Sequence, residues 1–361
     1  MKSGKNCKVL AGFDGFIDTI AKPVLKSETY GEPSVHFRTI REFGTWIAEH
    51  SGKSASLELD ILDRRMGGNM PNFVRGIAAL GAEVCAIGML SGDQGKFDPV
   101  FSALPGRAFS FAPAGTATAL EFDDGKIFLS PRYVLEGKPW ALIEKALGET
   151  PGTENYKTFL CEADLIACLN WSELAFMDTL WRELFEKCAA LLKPDKGKFV
   201  FFDLCDFSRK SGDEVRHILK LIEQFSAMRT TILSLNRNEA LLLEEAGIQS
   251  GELAGVAEKL TETYAIDEII IHSHDGALAK TAEGTFTAEN TIIPHPKIST
   301  GAGDHFNAAW AFAACMEWPP AERLRFANYC ARSYVSSGRS PGLAELPAEY
   351  QRSAHLNPQI Q

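Results

Sequence analysis

Apolar positions along this chain follow two rhythms. Short, nearly continuous runs occur at 8–14 (KVLAGFD), 82–90 (AEVCAIGML), 163–171 (ADLIACLNW), 198–204 (KFVFFDL), 230–236 (TTILSLN) and 267–274 (DEIIIHSH). They hold too few polar residues for a strand with one wet face, and they suit strands buried on both sides. Between them the period lengthens. Val215, Ile218, Leu219 and Ile222 fall at i, i+3, i+4 and i+7, one stripe of an amphipathic helix. A longer helix is expected from Ser172 to Lys193. The alternation predicts an α/β fold with a central, mostly parallel sheet flanked by helices.

Two segments break the rhythm. Residues 20–60 are mixed and polar, and 116–132 (TATALEFDDGKIFLSPR) carries two alternating runs around Asp124-Gly125. That pattern signals a hairpin. Inside a parallel α/β chain a hairpin leaves the main sheet, either as a lid over a site or as a decorated edge. The chain therefore reads as a single large α/β domain, 1–361, with small β-lid elements inserted at about 18–60 and 106–132. It shows no internal repeat, and the tail after Pro347 is short and polar.

Composition narrows the function classes. A net charge of −10 removes an overall basic surface, so no nucleic-acid partner is expected. Local backbone N–H groups can still bind phosphate inside an acidic protein. The start of the chain has no secretory pattern, and no apolar run approaches the ~18–20 residues that span a bilayer. Eight scattered cysteines, with no C-x-x-C pair, fit buried thiols of a cytoplasmic protein.

Four segments carry candidate chemistry. Thr300-Gly301-Ala302-Gly303-Asp304 opens directly into an apolar helix. Small residues leave backbone N–H groups bare at a helix N-terminus, where charge on a transferring phosphoryl group could be stabilised. Asp304 there is placed to take a proton from an attacking hydroxyl, or simply to complement the helix dipole. Gly67-Gly68-Asn69-Met70-Pro71-Asn72 precedes another helix, and its amides suit hydroxyl groups or ordinary turn chemistry. Asp14, past the first strand, would grip vicinal hydroxyls or end a turn. Asn236 and Glu239 follow a strand and would either organise Mg²⁺ through water or cap a helix.

Two resemblances to nucleotide motifs fail. Gly52-Lys53-Ser54 lacks the P-loop's earlier glycine, because Ile47 stands there. Gly301-Ala302-Gly303 has Phe306 where a dinucleotide fingerprint needs a third glycine. His272 and His274 have no metal-ligand partners nearby in sequence and read as structural.

Taken in order, an early Asp-Gly, a Gly-Gly segment with Asn72, a mid-chain Asn-x-x-Glu and a late Gly-Ala-Gly-Asp resemble the ribokinase-like (PfkB) carbohydrate kinases over residues 8–347. The resemblance implies an α/β domain with a small β lid and ATP-dependent phosphorylation of a sugar-like hydroxyl, with Mg²⁺ as cofactor. It implies Asp304 as catalytic base and Gly301, Ala302 and Gly303 as anion hole. Asp14, Gly67, Gly68, Asn69, Asn72 and Asn170 are the implied sugar side. Asn236, Glu239, Ser273, Gly276, Thr300, Gly301, Gly303 and Asn328 are the implied nucleotide side, with Glu239 near Mg²⁺ through water. Two positions depart from the family: Ile298 replaces an Asp that helps bind a monovalent cation, leaving that cation doubtful, and Ser273 replaces a glycine. A lid of this kind often joins two copies, so a homodimer is a further expectation. Arg64, Arg65 and Arg75 flank the 67–72 loop, but an unphosphorylated sugar or sugar acid is the favoured acceptor. The alternatives are a nucleoside or vitamin-like alcohol kinase of the same fold, or a catalytically silent sugar-binding regulator.

Overall fold

The apolar runs form the middle of a nine-stranded sheet in a computed structural model of the chain, which describes residues 7–27, 33–92, 95–148, 156–348 and 350. In chain order the strands are β1 (Lys8–Gly12), β2 (Phe16–Lys26), β3 (Val35–His36), β4 (Leu59–Gly67), β5 (Glu83–Ser91), β6 (Arg107–Pro113) and β7 (Gly115–Phe122). They continue with β8 (Gly125–Leu129), β9 (Leu165–Leu169), β10 (Phe199–Asp203), β11 (Thr230–Asn236), β12 (Glu268–His272), β13 (Gly276–Thr281) and β14 (Gly284–Glu289). The large sheet runs β14-β13-β12-β11-β10-β9-β1-β5-β6. Pairings from β12 to β6 are parallel, and the β12–β13–β14 edge is antiparallel.

Successive residues of each run feed opposite cores. Leu10, Cys85, Ile87 and Met89 join one, while Val9, Ala11, Val84 and Ala86 join the other. Burial on both faces is why these strands lack polar alternation. Helices Met177–Leu191 and Gly212–Phe225 cover the first face, and Asn69–Ala79 and Ala302–Cys315 cover the second. The stripe Val215, Ile218, Leu219 and Ile222 is buried, as its period requires. The helix expected from Ser172 begins only at Met177. The Ser172 N–H instead donates to the Leu204 carbonyl at 3.1 Å, which binds this segment to the end of β10.

A second sheet is built around β2. This strand pairs antiparallel with β3 and β4 and parallel with β7, whose hairpin partner is β8. Its strands lie within 16–67 and 115–129, so the first excursion runs on to Gly67. The second starts only at Gly115, because Arg107–Pro113 pairs with β5 in the large sheet. Phe122 pairs with Gly125, so the hairpin loop is Asp123-Asp124. This sheet has a small core of Ala21, Phe37, Phe43 and Leu120 under the helix Ile40–Glu49. Asp124 accepts the Ile40 N–H at 2.8 Å and Asp123 pairs with Arg38 at 3.0 Å, securing the helix start to the hairpin tip.

A candidate active site at the carboxyl edge of the sheet

Parallel strands put their carboxyl ends on one edge, where open α/β sheets bind ligands. Along the consecutive neighbours β1, β9, β10, β11 and β12 that edge carries Asp14, Asn170, Asp203, Asn236 and His272. The large sheet thus aligns residues that are scattered over most of the chain.

Asp14 is fully buried. Its Oδ2 accepts the Asn69 N–H and the Asn170 side-chain N–H, each at 2.8 Å, and its Oδ1 accepts the Met70 N–H at 2.8 Å. The carboxylate therefore satisfies the first amides of the helix Asn69–Ala79. Gly68 caps that helix at φ 95°, and a Cβ there would lie 2.6 Å from the Asp14 oxygen, so only glycine fits. Burial, with the charge of Asp203 adding, pushes the Asp14 carboxyl up to about 6. Asp18 behaves differently: its carboxylate accepts no hydrogen bond among the described residues. Its carboxylate packs against Gly67, where a Cβ would overlap it. Burial raises its pKa, and Arg65 and Lys126 oppose that rise.

Asp304 lies in the first turn of the helix Ala302–Cys315, whose cap, Gly301, is left-handed at φ 90°. The N–H groups of Gly303 and Asp304 have no hydrogen-bond partner among the described residues, as first-turn amides lack an intrahelical one. Burial, then the charges of Asp203 and Asp14, hold the Asp304 carboxyl well above the usual range, while a hydrogen bond from Asn72 opposes this. Asn72 also donates to the Gly68 carbonyl at 3.0 Å, so one amide joins both glycine turns.

Asp203 was not singled out by the sequence reading. It accepts from Asn307 at 2.8 Å, from the Cys205 N–H at 2.8 Å and from Asn69 at 3.5 Å, joining the helices Asn69–Ala79 and Ala302–Cys315. The signal was available, since Asp203 ends a buried apolar strand as Asp14 does. Burial raises its carboxyl, and its charge adds to the burial that raises Glu239. Glu239 and Asn236 form a full capping box on Arg237–Leu242, so the capping alternative is realised. Among the described residues no three His, Cys, Asp or Glu side chains group as a metal cage.

Beside Asp304 runs a groove of about 650 Å³. Asn236, Ser273, Ala302, Gly303 and Asn328 line it, together with His272, Arg237 and Arg332. Glu239, Gly276, Thr300 and Gly301 stay outside its wall. Gly276 closes a tight turn by accepting the Ser273 N–H at 2.9 Å, and the Thr300 carbonyl accepts from the Tyr334 hydroxyl at 3.1 Å. The groove and the Asp14–Asn72 cluster meet at the 301–304 turn.

This fold is that of the ribokinase-like kinases. A ribokinase II-type protein of Escherichia coli, solved with ATP and Mg²⁺, matches at TM-score 0.62 with 15% identity, covering 97% of this chain and 99% of that one. The adenosine kinase of Sinorhizobium meliloti matches at TM-score 0.61 with 15% identity, covering 94% and 96%. The model of the family described as prokaryotic ketohexokinase matches residues 2–351, and the chain belongs to that family, a branch of the PfkB carbohydrate kinases. The ketohexokinase of Haloferax volcanii is 27% identical over 349 residues, 94% of this chain and 90% of that protein. The 5-dehydro-2-deoxygluconokinase of Geobacillus thermodenitrificans is 26% identical over 144 residues, 39% of this chain and 41% of that protein.

Proposed function

We propose that this carbohydrate kinase moves the γ-phosphoryl group of ATP to a hydroxyl of a ketohexose, with Asp304 taking the proton. The observation that carries the reading is the position of Asp304. It is a carboxyl with raised proton affinity, beside bare amides, where a nucleotide-sized groove meets the acidic strand edge. The groove lies within the roughly 300–1,000 Å³ usual for small-molecule sites. A Cβ at Gly303 would come within 3.1 Å of His272, so glycine keeps the groove floor open for phosphates.

The acceptor hydroxyl hydrogen-bonds to Asp304. As its oxygen bonds to phosphorus, its proton passes to the carboxylate, and the electron pair of the breaking P–O bond leaves with ADP. The Gly303 and Asp304 amides offset the charge on the transferring group. Asp18, unpartnered and beside Gly67, grips the sugar hydroxyls, whereas Asp14 shapes the 68–70 turn. Asn69, Asn72 and Asn170 complete the sugar side. Buried acid at Asp203, Glu239 and Asp304, with no basic side chain bonded to it, suits a cation held by phosphate oxygens and water. When bound, Mg²⁺ neutralises phosphate charge.

Potassium is not required in this reading, because the Ile298 side chain offers no oxygen and the Thr300 carbonyl already accepts from the Tyr334 hydroxyl. The second sheet acts as the lid. Its exposed Leu25, Ile61, Leu62, Phe128 and Leu129 supply apolar side chains for a homodimer contact. Among the described residues no helix is long and apolar enough to cross a membrane. Six of the eight cysteines are buried, which fits a reducing cytoplasm. The test is an ADP-release assay over ketohexoses, aldoses, sugar acids and nucleosides, run in Na⁺ and in K⁺. Ketohexoses are expected to lead at equal rates in both salts, and turnover confined to nucleosides overturns the proposal.

A further inference from the structure

The Gly301 carbonyl receives two donors from one residue, the His305 backbone N–H at 3.1 Å and the His305 ring Nδ1 at 2.8 Å. A carbonyl only accepts, so Nδ1 carries the hydrogen and Nε2 accepts from the Ser340 hydroxyl at 2.7 Å. The ring stacks on Tyr334 at 3.6 Å between centroids and 14° between planes. Tyr334 in turn donates its hydroxyl to the Thr300 carbonyl at 3.1 Å. Both rings are buried, at 1% exposure each.

Two consecutive carbonyls of the turn are thereby held by side chains. Each shares a rigid peptide plane with the next N–H, so holding the oxygen of residues 300 and 301 aims the amides of 301 and 302. Gly301, left-handed and without a Cβ, would otherwise let these planes rotate cheaply. The ring also touches the sugar-side helix: a Cβ at Gly76 would meet His305 Cδ2 at 3.3 Å. Burial, with Arg75 adding, pushes the imidazole down to about 4, so the neutral tautomer persists.

We propose that His305 and Tyr334 are positioning residues that fix the 300–302 peptide planes, and with them the start of the helix that presents the Gly303 and Asp304 amides for phosphoryl transfer, with Ser340 fixing the imidazole. The proposal rests on the reading of 301–304 as the transfer site. A merely structural pair would change stability alone. The test compares His305→Ala, His305→Asn and Tyr334→Phe with the full-length wild type. Asn places an amide N–H near the Nδ1 position and restores the donor. Expected are kcat losses of ~10- to 100-fold in His305→Ala and Tyr334→Phe, the size of effect that ~1 Å of misplacement produces. KM for ATP and ketohexose should move by less than about threefold, and His305→Asn should recover most of the kcat.

Hydrogen exchange of peptides spanning 298–305 gives a readout independent of activity. Exchange should quicken in His305→Ala and Tyr334→Phe and return towards wild type in His305→Asn. If His305→Ala does not fold, Tyr334→Phe and His305→Asn carry the comparison. The proposal is overturned if KM rises with kcat intact, or if exchange at 298–305 is unchanged in Tyr334→Phe. Should the wild type phosphorylate no acceptor, the kinase reading fails, and the exchange data alone decide whether the turn is pinned.

Discussion

In Asp304→Asn the side-chain volume stays while its charge and its capacity to take a proton are lost. A positioned base contributes ~10²- to 10⁴-fold to a rate, so the variant should lose about 3–5 kcal/mol of transition-state stabilisation. Stability should move the other way. Burial, Asp203 and Asp14 raise the folded-state pKa of Asp304 above its unfolded value. A carboxyl shifted upwards contributes stability at low pH and loses it as pH rises through the folded value. The ionised wild type therefore carries a penalty at neutral pH that Asn lacks. Turnover is measured by ADP release, ATP affinity by calorimetry, and thermal unfolding at about pH 8 and again near the unperturbed carboxylate range of about pH 4. The variant should lose ~10²- to 10⁴-fold in turnover, bind ATP, and melt at or above the wild-type temperature at the higher pH. The gap should close at the lower one. Turnover within ~10-fold of wild type would refute the base assignment. A lower melting temperature at the higher pH would refute the charge argument.

Asp18 and Asp14 should respond differently to substitution. Asp18→Asn removes a charged acceptor worth ~1.5–3 kcal/mol, raising KM for the ketohexose about 10- to 100-fold with KM for ATP unchanged in steady-state kinetics. Asp14→Ala strands the part-buried Asn69 amide and the buried Met70 amide, at up to ~1–3 kcal/mol each, and should lower the melting temperature instead. Ligand-free protein should lose stability as pH rises from the usual carboxylate range through about 6, where Asp14 titrates, with Asp203, Glu239 and Asp304 raised in the same direction. Mg²⁺ with ATP should restore more stability at pH 8 than at pH 5, measured by thermal shift, because the bound cation offsets ionised acids.

Local pattern was enough for the skeleton. Runs such as KVLAGFD and KFVFFDL announced strands buried on two faces, since burial on both sides leaves no polar alternation to confuse the reading. The glycine turns at 67–68 and 301–303 were also legible, because only glycine tolerates a left-handed cap or a carboxylate pressed against its Cα. What lay beyond reach was pairwise. Asp14 and Asp18 look equivalent in sequence, yet three donors satisfy the first and none reaches the second, a difference created by β4 and the helix Asn69–Ala79 arriving from elsewhere. The helix predicted from Ser172 begins only at Met177, and the Ser172 N–H is tied to the carbonyl of Leu204, just past β10, a contact between segments far apart in the chain.

His305 follows the same logic. One residue past Asp304 it reads as an ordinary helical position, and its bond to Gly301 reaches only one turn back, but Tyr334 and Ser340 meet it only after the last helix packs. The sequence by itself determined the class of fold and the glycine-rich turns at 67–68 and 301–303, since both depend on periodicity and on backbone freedom within a few residues. Tertiary structure decided which carboxylates are satisfied and which are left open. Hydrogen bonds and desolvation depend on neighbours that lie far apart along the chain.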